Sequence, residues 1–280
     1  MALSFETGPT LVEASQWIAK FRGSRVVVKI GGEMFLRPQV IAKIAQQIAV
    51  LSLCGIKPIV VHGAGVQVDQ ECQARGIEIV KIGGRRVTTP ETLDALISVL
   101  GRLNTMIGEQ IGSHGLAWAG MSDNIQSKVH CTRRPSGEVN WGEVGDLTSV
   151  DTSIVDDNVI PVLPSLATAP DGPKNVNGDS TARQAAVSLG AKKLVFLTST
   201  TGVMRTLDDV GPISNMRASD ARSLIESGAA TGGMKAKLEE SLKALESGVE
   251  QVHIISGRDP FGLLRELFTD EGIGTLITRD

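Results

Sequence analysis

The stretch Arg25-Val26-Val27-Val28-Lys29-Ile30-Gly31-Gly32 constrains this chain more than any other. Three consecutive valines favour an extended strand buried on both faces, as in the interior of a parallel sheet. The run then ends in a lysine and a glycine pair. Lys29 would stand where the strand leaves the core. Glycines there let a ligand or another backbone come close. A cation beside exposed backbone N–H groups makes a phosphate cradle, and a solvated lysine at a strand end is the plainer alternative. The pattern recurs in Ile59-Val60-Val61 followed by His62-Gly63-Ala64-Gly65 and a helix from about Gln67 to Arg75. Two parallel strands opening into two glycine-rich turns would form one anion site at their C-terminal ends, where open α/β sheets bind ligands.

The rest of the chain keeps the alternation. Helices are expected at 10–21, 38–53, 90–111, 180–189, 219–227, 234–247 and 260–268, and strands at 26–30, 59–61, 159–163, 193–198, 251–256 and 274–278, from their apolar periodicity and their Gly and Pro boundaries. Thr10 and Glu13 fit a capping box for the first helix. Leu11, Ala14, Trp17, Ile18 and Phe21 give it an apolar face that needs a partner, in this chain or in another subunit. Short alternating runs near 126–132 and 138–147 suggest a hairpin turning at Arg133–Gly137. This order predicts an α/β chain with an open, mainly parallel sheet covered on both faces. It divides into an N-terminal helix (1–24) and two lobes, 25–174 and 175–280.

Composition excludes several functions. The 280 residues carry a net charge of −3 with no basic block, which argues against nucleic acid and anionic membranes as partners. Three Trp, six Phe and no Tyr leave little for base stacking. Cys54, Cys72 and Cys131 form no C-x-x-C pair, and the four histidines lack metal-ligand spacing, so no metal site is expected. No signal peptide and no run of 18 apolar residues is evident, and a cytoplasmic protein is expected.

Two further clusters bear on chemistry. Lys237, in Gly232-Gly233-Met234-Lys235-Ala236-Lys237, falls near a helix start, where a cation is unfavourable unless an anion is nearby. Asn175-Val176-Asn177-Gly178-Asp179-Ser180 contains one acid, and capping accounts for only one of its polar residues. Arg86 follows a glycine pair, and its planar fork suits a carboxylate.

Taken in order, these pieces resemble the amino acid kinase family. The matching stretches are Val26–Gly32, His62–Gly65, Gly84-Arg85-Arg86-Val87-Thr88, Asn175–Asp179, Gly232-Gly233-Met234 with Lys237, and Gly272–Thr275. The lead-in Leu11–Arg22 is similar to the N-terminal helix of arginine-sensitive members. The resemblance implies a three-layer α/β/α sandwich that transfers a phosphoryl group from ATP to the γ-carboxylate of N-acetyl-L-glutamate. It implies catalytic Lys29, Lys237 and Asp179, with substrate held by Gly63, Ala64, Gly65, Arg86 and Asn175. Gly31, Gly32, Thr198, Ser199, Gly202, Gly233 and Met234 would serve the phosphates and nucleotide. Mg2+ would be carried by the nucleotide, arginine would be a feedback inhibitor, and the assembly would be a dimer or hexamer.

The chain departs from the family pattern at four places. Ala64 stands at a usual glycine, strained if that position needs φ > 0. Glu33 follows the glycine pair, where a carboxylate repels phosphate unless it points away. Ser199 replaces a usual Asp and Phe261 a frequent His. Two alternatives therefore stay open: a kinase for another N-acyl amino acid, such as an aminoadipate derivative, and a non-catalytic paralogue that binds arginine or a partner.

Overall fold

The computed structural model describes residues 11–205 and 211–280. Thr10, with the rest of the first ten residues of the N-terminal segment, lies outside the described residues.

One eight-stranded sheet runs through the molecule. Its strands are β1 (Arg25–Ile30), β2 (Lys57–His62), β5 (Ala117–Ala119), β8 (Val159–Pro164), β11 (Lys193–Thr198), β12 (Asn215–Arg217), β13 (Gln251–Ser256) and β14 (Thr275–Thr278). Their order is β12-β14-β13-β11-β1-β2-β8-β5. Every pair is parallel except β13 with β14. The valine run is the middle of this sheet, flanked by β11 on one side and β2 on the other. The two halves of the chain thus meet along the β1–β11 ladder.

Strand periodicity sorts the core by face. Val26, Val28 and Ile30 pack on one side, beneath α2 (Pro38–Leu53) and α4 (Pro90–Gly112). Val27, Ile59 and Val61 pack on the other, with α5 (Gly178–Ser188) and α7 (Gly232–Glu246). Successive strand residues alternate sides, so Lys29 shares the face of Val27. Helices on both faces make three layers. α4 starts as its sequence directs: Pro90 is at its first turn and Thr89 Oγ1 accepts from Thr92 N at 3.2 Å.

The irregular middle forms a second sheet, β10-β9-β6-β7, from β6 (Val129–Arg133), β7 (Gly145–Val150), β9 (Leu166–Ala169) and β10 (Gly172–Asn175). The hairpin expected near 126–147 exists, but its connecting loop runs from 134 to 144. Residues 125–128 form a 3-10 turn and not strand. Residues Gly172–Asn175 form β10, paired antiparallel to β9. The glycine loop at 83–86 closes a two-residue hairpin, β3 (Lys81–Ile82) with β4 (Arg85–Arg86), its turn made by Gly83 and Gly84 at φ 56° and 76°.

The first helix, α1 (Leu11–Phe21), finds its partner inside the chain. It packs on α8 (Gly262–Phe268), burying Ala14 and Phe21, with Trp17 and Ile18 partly covered. Trp17 Nε1 donates to Asp270 Oδ1 at 3.1 Å, and Asp270 N donates to Glu13 Oε1 at 2.9 Å. Of the two partners left open for this face, the chain itself covers most of it. Leu11 and Val12, 88% and 73% exposed, remain outward.

Candidate active site

β1 and β2 both end at the same edge of the sheet. β1 runs into Gly31 and a 3-10 turn (Gly32–Leu36), and β2 into Gly63, Ala64 and helix α3 (Gly65–Ala74). The two turns touch: a Cβ on Gly32 would sit 3.1 Å from Gly65 N. Gln67 Nε2 donates to Gly32 O at 2.7 Å and staples them together. Not all of these glycines have free donors. Gly31 N donates to Leu197 O and Gly63 N to Ile30 O. Gly32 and Gly65 each head a helical turn, where the first N–H has no helical carbonyl to meet. Ala64 has φ −145°, outside the left-handed region, so it is not strained.

α5 enters the same place from the C-terminal half of the chain. Asn177 Oδ1 accepts from Asp179 N at 2.9 Å and Ser180 N at 3.0 Å. Asn177 is therefore the cap, which leaves Asp179 free to act elsewhere. Asp179 Oδ1 lies 2.7 Å from Lys29 Nζ, and Oδ2 lies 3.3 Å from Lys237 Nζ. Burial works to raise the Asp179 carboxyl, but the two ammonium groups outweigh it and hold it below the usual carboxylate range. Lys237 is the sixth residue of α7, one turn further in than a first-turn position, because the helix already begins at Gly232.

A cavity of about 330 Å³ opens in front of Lys29 and Asp179, and Lys237 stands behind Asp179 outside its lining. It brings together Lys29, Gly32, Gly63, Ala64, Gly65, Arg86, Asn175 and Asp179. Glu33 also lines it, its carboxylate folded back over Gly31. Arg86 is pre-aimed: Nη1 donates to Asp69 Oδ1 at 2.6 Å and Nη2 to Gly65 O at 3.0 Å. Burial raises the Asp69 carboxyl, yet hydrogen bonds from Lys81 and Arg86 leave it lowered overall. Asn175 Nδ2 donates to Thr88 Oγ1 at 2.9 Å, and Asn175 N donates to Glu143 O at 2.9 Å. Asp69, Thr88 and Glu143 thus support the cavity wall. Sequence patterns gave no role to Asp69 or Glu143, because each acts through a neighbour distant in the chain.

Of the residues expected at the phosphates and nucleotide, Gly32 lines this cavity, while Thr198, Ser199, Gly202, Gly233 and Met234 lie apart from its lining. The Thr198 hydroxyl is engaged with Thr200 in the turn after β11. Ser199 and Gly233 are exposed, and Met234 packs at the edge of the second core. A Cβ on Gly202 would meet Pro212 and Thr275 at 2.6 and 2.7 Å, so this glycine serves a close backbone approach.

His62, at the end of β2, offers no base. Its Nε2 faces Asn104 Nδ2 at 3.0 Å, and burial pushes its pKa down to about 4. Among the described residues no cluster of His, Cys, Asp or Glu could hold a metal ion. None of their helices is long and apolar enough to cross a membrane.

A sheet of this order, with two cationic side chains converging on one carboxylate above glycine turns, defines a fold and site for phosphoryl transfer. The chain belongs to the amino acid kinase family, whose model matches residues 24–256. It is 38% identical over 278 residues to an acetylglutamate kinase of Synechococcus sp. (strain RCC307), covering 95% of this chain and 92% of that one. It is also 38% identical over 285 residues to an acetylglutamate kinase of Acidothermus cellulolyticus, covering 96% and 95%. Among solved structures it superposes on N-acetylglutamate synthase from Neisseria gonorrhoeae, complexed with coenzyme A and N-acetyl-glutamate. That match has a TM-score of 0.86 at 28% identity and covers 97% of this chain but 64% of that one. The same synthase, complexed with coenzyme A and L-arginine, matches with a TM-score of 0.84 at 28% identity, covering 99% of this chain and 66% of that one.

Proposed function

We propose that this chain transfers the γ-phosphoryl group of ATP to the γ-carboxylate of N-acetyl-L-glutamate, giving an acyl phosphate and ADP for arginine biosynthesis. The observation that carries this is Asp179 holding Lys29 and Lys237, from opposite lobes, beside two glycine turns. A carboxylate of ordinary pKa, about 4.3, is already ionised at neutral pH, so the acceptor needs no general base. One carboxylate oxygen attacks the γ-phosphorus while the bond to the β–γ bridging oxygen breaks, and ADP leaves with that electron pair. The protein's part is to position the partners and neutralise charge on the transferring group. Lys29 and Lys237 do this from two sides, with N–H donors from Gly32 and Gly65, and Asp179 fixes both lysines. Arg86 and Asn175 hold the α-carboxylate and its neighbours. Magnesium would be carried by the nucleotide phosphates, not by a cluster of this chain's described His, Cys, Asp or Glu residues, and would supply further neutralisation there.

Lobe 25–174 takes the acyl amino acid and lobe 175–280 the nucleotide, near Thr198, Ser199, Gly202, Gly233 and Met234. Arginine inhibits from a small pocket between α1 and α8, lined by Trp17, Lys193, Glu266 and Gly272. Phe261 is not part of that lining, so its replacement of a polar residue leaves the pocket intact. The free cysteines suit a cytoplasmic enzyme, and the assembly is a homo-oligomer, dimer or hexamer.

The test is hydroxylamine trapping of the acyl phosphate with ATP over a panel of N-acyl amino acids. Hydroxamate formed from N-acetyl-L-glutamate supports the assignment. Hydroxamate from an aminoadipate derivative alone, or from none, overturns it.

A further inference from the structure

We propose that Arg85 forms an anion subsite for the substrate's acyl end, so that the enzyme takes N-acyl glutamates whose short acyl group carries its own carboxylate. This rests on the function proposed above. The acceptor γ-carboxylate must lie at the Lys29–Asp179 end of the cavity. Cα of glutamate, bearing both the α-carboxylate and the N-acyl group, would then face Arg86 and Asn175, and Arg85 and Arg134 belong to the same lining.

Five cations line this cavity, and four have partners. Lys29 pairs with Asp179, Lys81 and Arg86 with Asp69, and Arg134 with Asp146. Arg134 also lies over the Trp141 ring, 5.4 Å from its centroid. Arg85 has neither an ion pair nor a hydrogen bond to its side chain among the described residues. It is nevertheless placed by a fixed element: the β3–β4 hairpin, anchored through Arg86 on Asp69. Arg85 and Arg134 together form the threshold between the cavity and an open groove that continues past Glu138 and Trp141.

An acetyl methyl at that threshold would meet guanidinium groups and gain nothing from them. A carboxylate two carbons further out, as in N-succinyl-L-glutamate, would meet the free fork of Arg85, a geometry suited to bidentate pairing. Glu138 sets the limit of length, because a longer diacid would carry its charge toward another carboxylate.

The experiment uses the full chain, the hydroxamate assay, and N-acetyl- and N-succinyl-L-glutamate as paired substrates. Wild type, Arg85→Leu and Arg85→Lys are compared by the ratio of succinyl to acetyl kcat/KM, which a partly misfolded preparation does not change. The wild type should turn over the succinyl substrate at least as efficiently as the acetyl one. Arg85→Leu should lower the ratio by about tenfold or more, the scale of one hydrogen bond between charged groups, and Arg85→Lys by less. Acetyl turnover with no succinyl turnover, or with an unchanged ratio in Arg85→Leu, overturns the subsite alone. Absence of turnover on either substrate overturns the function as well.

Discussion

Lys29 and Lys237 reach one carboxylate from the two halves of the chain, and in the proposed mechanism their ammonium groups gain most when the transferring phosphoryl group passes between them. Lys29→Ala and Lys237→Ala should each lower kcat by about two orders of magnitude or more, as expected for a charge used mainly in the transition state. Steady-state kinetics on both variants checks this, and near-wild-type turnover in both would refute the mechanism. His62 tests a different property. Its folded pKa of about 4 lies below its ordinary 6.5, with burial the main cause and Lys29 adding to it. Below pH 6.5 the unfolded chain binds a proton that the folded chain refuses, so stability is full above 6.5 and falls as pH drops toward 4. The loss approaches about 3 kcal/mol for a shift of this size. His253, buried and also lowered, adds in the same direction. Thermal melts from pH 7 to pH 4 should show a falling Tm, with a shallower fall in His62→Asn. A flat profile would refute it. At this scale the sequence was informative wherever a residue's local setting was odd, as with a lysine ending a buried strand or an acid just past a helix cap. It was silent on Asp69 and Glu143, whose partners are brought in only by tertiary structure.

The elements most legible in the sequence were the long ones, where period and caps agree: the valine strand, α2 and α4. The small sheet was less so. Its strands are short, and what holds them is charge. Lys174, fully buried in β10, lies 3.0 Å from Glu143 Oε2 and 3.1 Å from Asp171 Oδ1. Arg133 Nη2 donates to the Glu143 carboxylate at 2.8 Å and Nε to Asp171 Oδ2 at 2.6 Å. This network ties the 134–144 loop to the strand that carries Asn175, whose N–H is bound by the Glu143 carbonyl. No local pattern marks a lysine for burial, so this strand is not among those expected from the sequence. Lys174→Met should cost on the order of 2 kcal/mol, because Glu143 and Asp171 are then left with Arg133 alone. Because Asn175 and Val144 are at the cavity, the KM for the acyl amino acid should rise several-fold with little change in the KM for ATP. Melting curves and a two-substrate KM comparison check this. An unchanged acyl KM would mean the network is structural only.

Across the whole molecule the halves share one sheet, and α1 packs with the core on its α2–α4 face. Lys193, at the start of β11 beside β1, lies 4.1 Å from the Phe21 ring centroid. Across the pocket, Glu266 binds His253 Nδ1 at 2.7 Å and accepts from Ile273 N and Gly274 N. A guanidinium and a carboxylate entering this pocket would find an acid and a cation. Burial brings Lys193 down to about 8 against the pull of Glu266, so capture of a carboxylate should weaken as pH rises through that value. α1 therefore builds one wall of the proposed arginine site and offers Leu11 and Val12 outward for contact with a second copy. An inhibitor acting here must bind one arrangement of the lobes more tightly than another. Deleting residues 1–22 should abolish inhibition by millimolar arginine and reduce the mass in solution. Leu11→Glu with Val12→Glu separates the two effects, since it should lower the mass while leaving Trp17, Lys193 and Glu266 in place. Light scattering and activity against arginine at pH 7 and pH 9 check these outcomes. A truncated chain with the same mass and the same arginine response would refute both roles of α1. A full-length enzyme that assembles but ignores arginine would refute the regulatory role alone.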